Sequence, residues 1–393
     1  MLWRLQVSTR ADPGRLVVDS VGTSPQSGHA DFRPAPPSTI DGMRAIVFDQ
    51  FSVRPELHDI DAPTAPDEGV VIDVEATGVC RSDHHAWAGH DSTITLPHVP
   101  GHELVGRIAS VGAGVQEFHI GQRVTVPFVC GCGKCRWCVS GNAQVCPDQT
   151  QPGFTHFGSW ADQVVIHNAD ANLVAVPEDL PAAAVVGLGC RFATAFHGLR
   201  VRANLSAGET VAVFGCGGVG LSAIMIARAL GAEVVAVDVS DAALDSAREL
   251  GAARTVNARD LSPEELSAEV ADQVRDTCPD GVDVTVDALG RADTIRAAIE
   301  SLAPLGRHVQ IGLLPEEPVV DLPRVIALEI SVLGSHGMAA ADYPELVDLV
   351  VEGRLRPQEL VTKVIGLDEA PAAMEAMSSP APTAGMTIID LAR

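Results

Sequence analysis

TVAVFGCGGVG, residues 210–220, begins as an apolar β-type run and ends in glycines at G-x-G-x-x-G spacing, where the helical pattern GVGLSAIMIARALGA (218–232) opens. Each glycine has a physical use in that context. Gly215 permits a tight turn, Gly217 lets the backbone approach a pyrophosphate, and Gly220 lets the helix pack on the strand. Gly218 and Val219 open the helix, whose N-terminus faces the anion. A second apolar strand, EVVAVDVS (233–240), ends at Asp238, 18 residues past Gly220. An acid there accepts hydrogen bonds from both hydroxyls of an adenosine ribose and repels a 2′-phosphate, so the expected cofactor is NAD rather than NADP. The competing reading is a glycine turn in an α/β fold without a cofactor. Cys216, inside the loop, reads as a packing residue.

Downstream the strand and helix patterns keep alternating: DAALDSARELGA (241–252), DVTVDALG (283–290), ADTIRAAIESLA (292–303) and GRHVQIGLL (306–314). Continuous apolar strands alternating with helices predict an α/β fold with a doubly wound parallel sheet over residues 192–334. Upstream, residues 43–191 carry short β-type runs punctuated by Gly and Pro, among them GVVIDVEATGV (69–79), ELVGRIASVG (103–112) and RVTVPFV (123–129). They predict a β-rich domain. Helical DYPELVDLVVEG (342–353) and the apolar run GMTIIDL (385–391) place 335–393 as a return to that domain. Residues 1–42, ending in FRPAPPSTIDG, lack periodicity and a continuous apolar core, and are expected to be a disordered leader rather than a signal peptide.

At 393 residues the chain has room for two domains and a tail. Its 27 Lys and Arg against 51 Asp and Glu leave a net charge of −24, which disfavours nucleic acid and anionic membrane surfaces as partners. No run approaches the roughly 20 apolar residues of a spanning helix. The chain is expected to be soluble and cytoplasmic.

The nine cysteines are unevenly spread. CGKCRWCVSGNAQVC places Cys132, Cys135, Cys138 and Cys146 at C-x2-C-x2-C-x7-C, a spacing that closes four thiolates around one structural zinc. Cys130 falls outside that register, as a spare buried thiol or a liability to mispairing. Elsewhere, Cys80 in GVCRSDHH (78–85), His102 and Glu103 in PGHELVG (100–106), and Cys190 in GLGCRFATAFHG (187–198) offer a three-ligand zinc set with one open position. Singly, each has a plainer reading: Cys190 as a core residue, His102 as a turn histidine, Glu103 as a surface acid. Their conjunction with a dinucleotide loop and a cysteine lobe favours catalysis.

Taken together, GVCRSDHHAWAG, GHELVGRI, CGKCRWCVSGNAQVC, GLGCRFATAFHGL, GCGGVG and DALG resemble, in order, the motifs of the zinc-dependent alcohol dehydrogenases of the medium-chain dehydrogenase/reductase family, over 43–393. The resemblance implies a GroES-like catalytic domain joined to a Rossmann domain. It also implies hydride transfer between a primary or secondary alcohol and NAD, giving aldehyde or ketone, with two zinc ions per chain. By position, Cys80, His102 and Cys190 would hold the catalytic zinc, with Glu103 as a transient extra ligand and Asp83 hydrogen-bonded to a ligating histidine. Ser82 would pass the alcohol proton through a ribose hydroxyl towards His85, with His84 as its rival. Arg81 would reach the pyrophosphate, and backbone around Ile311 to Leu313 and Gly334 to Ser335 the carboxamide. Phe128 and Trp87 are candidates for either the pocket wall or the core. Two positions depart from the family: Ala243 stands where many relatives carry a basic residue, and Met386 where an arginine is common, implying a looser cofactor grip. A homo-oligomer, dimer or tetramer, is implied by analogy, and a polyol or amino-alcohol dehydrogenase is the close alternative.

Overall fold

The computed structural model describes residues 42–274, 279–314, 317–378 and 385–393. The leader expected over 1–42 therefore lies, apart from Gly42, outside the described residues. The strand runs upstream of residue 191 form an antiparallel pair, β1 (Gly42–Val47) with β2 (Glu56–Asp61), and most of a larger sheet. That sheet contains β3 (Val70–Val79), β4 (Leu104–Val111), β5 (Arg123–Thr125), β6 (Gln163–Ile166) and β7 (Val174–Ala175). β3 is its spine. One edge of β3 pairs with β4, while the other pairs first with β6 and then with β15 (Met386–Asp390), which lies beside β14 (Val361–Ile365). The C-terminal run thus closes the sheet that the N-terminal half begins.

The second sheet is six-stranded and parallel, in the order β10 (Arg254–Asn257), β9 (Glu233–Asp238), β8 (Thr210–Phe214), β11 (Val282–Asp287), β12 (Leu302–Gln310), β13 (Ser331–Gly334). The chain winds outward from β8 in both directions, so the crevice at the carboxyl ends of β8 and β11 is the point where strand order reverses and ligands bind. Burial on both faces explains the continuous apolar strands: Val211 and Val213 pack into one core with Phe192, Phe196 and Leu221, while Ala212 and Phe214 pack into another with Ile295 and Ile299. The expected α/β architecture of a GroES-like, β-rich part and a doubly wound part is the one observed.

Helices Ala182–Gly187 and Cys190–Phe196 connect the two sheets, and the second of these packs on helix Gly218–Ala229. The approach of that last helix to β8 requires glycine, since a Cβ at Gly220 would lie 1.7 Å from the Gly215 carbonyl oxygen. Gly220→Ala should therefore destabilise the chain by at least the ~1–3 kcal/mol of an overpacked core. A fall in the urea midpoint is expected; an unchanged midpoint would mean that the loop yields freely.

Candidate active site

β3 delivers its last residue, Val79, to Cys80, which caps the helix Arg81–Trp87. Asp83, fully buried on that helix, organises the surroundings. Its Oδ2 accepts the Cys80 backbone N–H at 2.9 Å, and its Oδ1 accepts the Gly101 N–H at 3.0 Å and His102 Nδ1–H at 2.9 Å. That bond turns the other ring nitrogen of His102, Nε2, inward, where it is buried without a partner. Cys190 arrives from the connecting helix, and the ligand atoms of Cys80, His102 and Cys190 lie within 4.8 Å of one another.

The donor set fits zinc. A hydrogen bond from Cys190 pushes the Cys80 thiol well below its ordinary value, against burial and with help from the Arg191 charge, while the same bond and burial push Cys190 well above it. Two close sulfurs beside an orphaned, buried imidazole nitrogen match a cation that takes two thiolates and a neutral histidine. Glu103, also fully buried, sits behind this group between Gly78 and Gly189, where a Cβ would collide with its side chain. Burial raises its pKa and Arg191 opposes the rise.

The cysteine lobe forms a second cluster. Cys132, Cys135, Cys138 and Cys146 bring their sulfurs within 4.8 Å of one another, with Cys135 Sγ 3.5 Å from Cys138 Sγ and 3.7 Å from Cys146 Sγ. Backbone N–H groups of Lys134 and Cys135 lower Cys132 to about 7, whereas burial pushes Cys146 up to about 12. Val139 and Val145 around it are exposed, so the lobe has little apolar core of its own. Cys130 is outside the cluster, in the core of the β-rich part, with its thiol pushed up to about 12 by burial.

At the nucleotide crevice, Gly217 is exposed and a Cβ built on it would meet nothing within 4 Å, which leaves the loop open to a phosphate. Gly218 and Val219 start the helix as expected. Asp238 closes β9 beside the loop: Oδ2 accepts Cys216 N–H at 2.7 Å and Oδ1 accepts Ser240 N–H at 2.9 Å, and each oxygen keeps a lone pair for a further donor. Ile311 and Gly312 follow β12 and donate to the Asp287 carbonyl at 3.0 and 2.9 Å, setting the backbone up to the exposed Leu313 along the crevice. Ser335 Oγ donates to the Thr194 carbonyl at 2.8 Å, tying the end of β13 to the Cys190 helix.

Among the other sequence candidates, Ser82 Oγ lies 3.8 Å from Cys80 Sγ. His85 is exposed, whereas His84 is half-buried, bonded to Ser378 Oγ at 2.9 Å and tilted against the Trp87 ring, 5.3 Å between centroids. Phe128 packs against the His102 ring, 6.0 Å between centroids. Trp87 instead belongs to the core, its indole N–H donating to the Val53 carbonyl at 2.6 Å. Arg81 is turned to the Met377 carbonyl. Sequence reasoning missed Arg191, which pairs with Glu103 at 2.9 Å, and His336, which packs edge-on to Phe128 at 5.3 Å. For Arg191 the signal was a basic residue directly after a candidate ligand; nothing in the sequence set His336 against Phe128.

Known proteins resemble this chain in sequence and fold. Residues 66–178 match the "Alcohol dehydrogenase GroES-like domain" family and 218–352 the "Zinc-binding dehydrogenase" family. An alcohol dehydrogenase of Geobacillus stearothermophilus is 33% identical over 323 residues, 80% of this chain and 90% of that protein. A sorbitol dehydrogenase of Halalkalibacterium halodurans is 30% identical over 322 residues, 81% of this chain and 90% of that one. Among solved structures, the alcohol dehydrogenase TADH of Thermus sp. ATN1 superposes with a TM-score of 0.79 at 29% identity, covering 88% of this chain and 99% of that one. The chain therefore belongs to the zinc-dependent alcohol dehydrogenases of the medium-chain dehydrogenase/reductase family and is an oxidoreductase.

Proposed function

We propose that the enzyme transfers a hydride between a primary or secondary alcohol and NAD, giving an aldehyde or ketone. The observation that carries the reading is the convergence of Cys80, His102 and Cys190 at one end of a helix that packs against the open glycine loop. When bound, zinc supplies a Lewis acid that makes the alcohol hydroxyl acidic and NAD supplies the hydride acceptor. The residues of the chain do the rest. Asp83 holds His102 in the tautomer that presents Nε2, and Phe128 screens that ring from water. Ser82, beside Cys80, would relay the hydroxyl proton, accepting it while giving up its own towards exposed His85, which releases a proton to solvent. Partial burial of its ring, with His90 and Arg81 nearby, holds His85 below the ordinary imidazole range, which favours the neutral ring that can accept a proton. The four-cysteine lobe supports a second, structural zinc. Asp238 supports NAD over NADP, because its carboxylate would face a 2′-phosphate.

A polyol or other polar alcohol is the second reading, favoured by His336 against Phe128 and in keeping with the similarity to a sorbitol dehydrogenase. A homo-oligomer is supported by β13, an exposed sheet edge, and by exposed Val319, Leu322 and Ile326 shortly before it in sequence, at 84%, 61% and 76% exposure. Free thiols in both clusters fit a reducing, cytoplasmic setting, and among the described residues no helix is long and apolar enough to cross a membrane.

Formation of reduced nicotinamide, followed by absorbance with NAD and a panel of linear, branched, aromatic and polyhydric alcohols, tests the reading. Chelator-sensitive turnover is expected, and silence across the panel with zinc bound would sink it. Cys190→Ala should remove one zinc per chain and abolish turnover; full turnover at unchanged metal content would take Cys190 off the ligand set. Asp238→Asn keeps one oxygen for the loop and removes the charge, so affinity for NAD should fall about 10-fold while that for NADP rises, a charge-assisted bond being worth ~1.5–3 kcal/mol. Equal changes for both cofactors would refute the ribose assignment. In the wild type, alcohol oxidation should fall as pH drops through the lowered His85 pKa. His85→Asn should cut kcat at neutral pH about 100-fold, the low end of the ~10²–10⁴ of general acid–base catalysis, and remove that limb of the profile. A pH profile unchanged by the substitution would assign proton release elsewhere.

A further inference from the structure

The residue after Cys190 touches both the zinc-ligand surroundings and the glycine loop. Arg191 is only 9% exposed. Its Nη2 donates to Glu103 Oε2 at 2.9 Å, directly behind the ligand His102. Its other side lies on the glycine loop: a Cβ at Gly218 would fall 2.7 Å from Arg191 Cδ and 3.3 Å from Nη1. A side chain at 218 would push the guanidinium away from the loop. The Nε–H is buried and has no partner. An arginine carries five N–H donors in a fixed fork, and a buried donor without an acceptor costs about 1–3 kcal/mol. The placement is therefore incomplete without a further acceptor at the loop.

The chemistry of that acceptor follows from its neighbours. Gly218 begins the 12-residue helix Gly218–Ala229, whose free N–H groups and dipole favour an anion, and Gly217 beside it faces open space. A diphosphate fits both donors. Resting on the NAD reading above, we propose that Arg191 binds the pyrophosphate of the dinucleotide and, through the Glu103 carboxylate held by the same guanidinium, makes occupancy of the cofactor site felt at the Cys80–His102–Cys190 centre. Arg191 is a cofactor-binding residue in this account and Glu103 a positioning residue. The arrangement also answers the looser grip expected from Met386 and Ala243: Met386 is buried in β15 and Arg81 is engaged by Met377, while the cation at the loop comes from the connecting helix.

The test compares ADP-ribose, which carries the diphosphate, with adenosine, which does not, by calorimetric titration of the metal-loaded full chain. For Arg191→Met, ADP-ribose affinity should fall about 10- to 100-fold, the worth of a charge-assisted hydrogen bond, with adenosine affinity unchanged. Arg191→Lys should recover part of the loss, since it keeps the charge but not the fork. With cobalt in place of the catalytic zinc, saturating ADP-ribose should shift the visible cobalt–thiolate absorption of the wild type and of Arg191→Lys less, and not that of Arg191→Met. Undiminished ADP-ribose affinity in Arg191→Met, or equal losses for both ligands, would overturn the binding role. A cobalt shift of full size in Arg191→Met would overturn the coupling. A wild-type chain that binds neither ligand would instead bring down the NAD reading itself, and a variant that fails to fold leaves Arg191→Lys to decide.

Discussion

The site depends on one buried carboxylate. Asp83 is inaccessible to solvent, and a charge in such a place is tolerated only when each oxygen is well supplied with donors. Its donors are the Cys80 backbone, the Gly101 backbone and the His102 ring, so the same bonds that make the burial of Asp83 tolerable bring Cys80 and His102, 22 residues apart in sequence, to one point. The carboxylate fixes both the position of His102 and its tautomer, the role such partners have at metal–histidine sites. Helix Arg81–Trp87 is short, with its apolar side, Ala86 and Trp87, in the core, and this anchors Asp83 in turn.

A second constraint joins that point to the nucleotide crevice. Cys190 and Arg191 are consecutive on the connecting helix: one sulfur faces the ligand group, and the guanidinium spans from Glu103 to Gly218. Further along the same helix, Thr194 accepts Ser335 Oγ–H at 2.8 Å through its carbonyl and Gly337 N–H at 3.2 Å through its hydroxyl oxygen. One helix therefore indexes the metal group against both the start of the helix after β8 and the end of β13. A displacement of this helix would be felt at every part of the site, and its inner face, Phe192 and Phe196, is held in the core that contains Val211 and Leu221.

The four-cysteine lobe contributes differently. Its apolar side chains are largely exposed and its helix, Arg136–Val139, spans a single turn, so local interactions cannot order it. What it presents to the rest of the molecule is polar: Gln144, next to the cluster, is buried against His197 on the connecting segment at 3.5 Å.

Local patterns carried much of this into the sequence. The glycines after β8, the acid at the end of β9 and the C-x2-C-x2-C-x7-C lobe are legible because the physics they serve is local: a tight turn, a helix start, four thiolates within one short loop. The alternation of apolar strands and helices likewise reveals the parallel sheet, since burial on both faces leaves its mark on every residue of a strand. The sequence by itself thus determined the two sheets, the ligand types and the nucleotide loop. Only the tertiary structure decided which side chains meet across long separations. It put Trp87 in the core and Phe128 on His102, set His336 against Phe128, and stretched Arg191 between Glu103 and Gly218. These contacts come from packing between segments up to 208 residues apart, from Phe128 to His336, and no spacing within one segment encodes them.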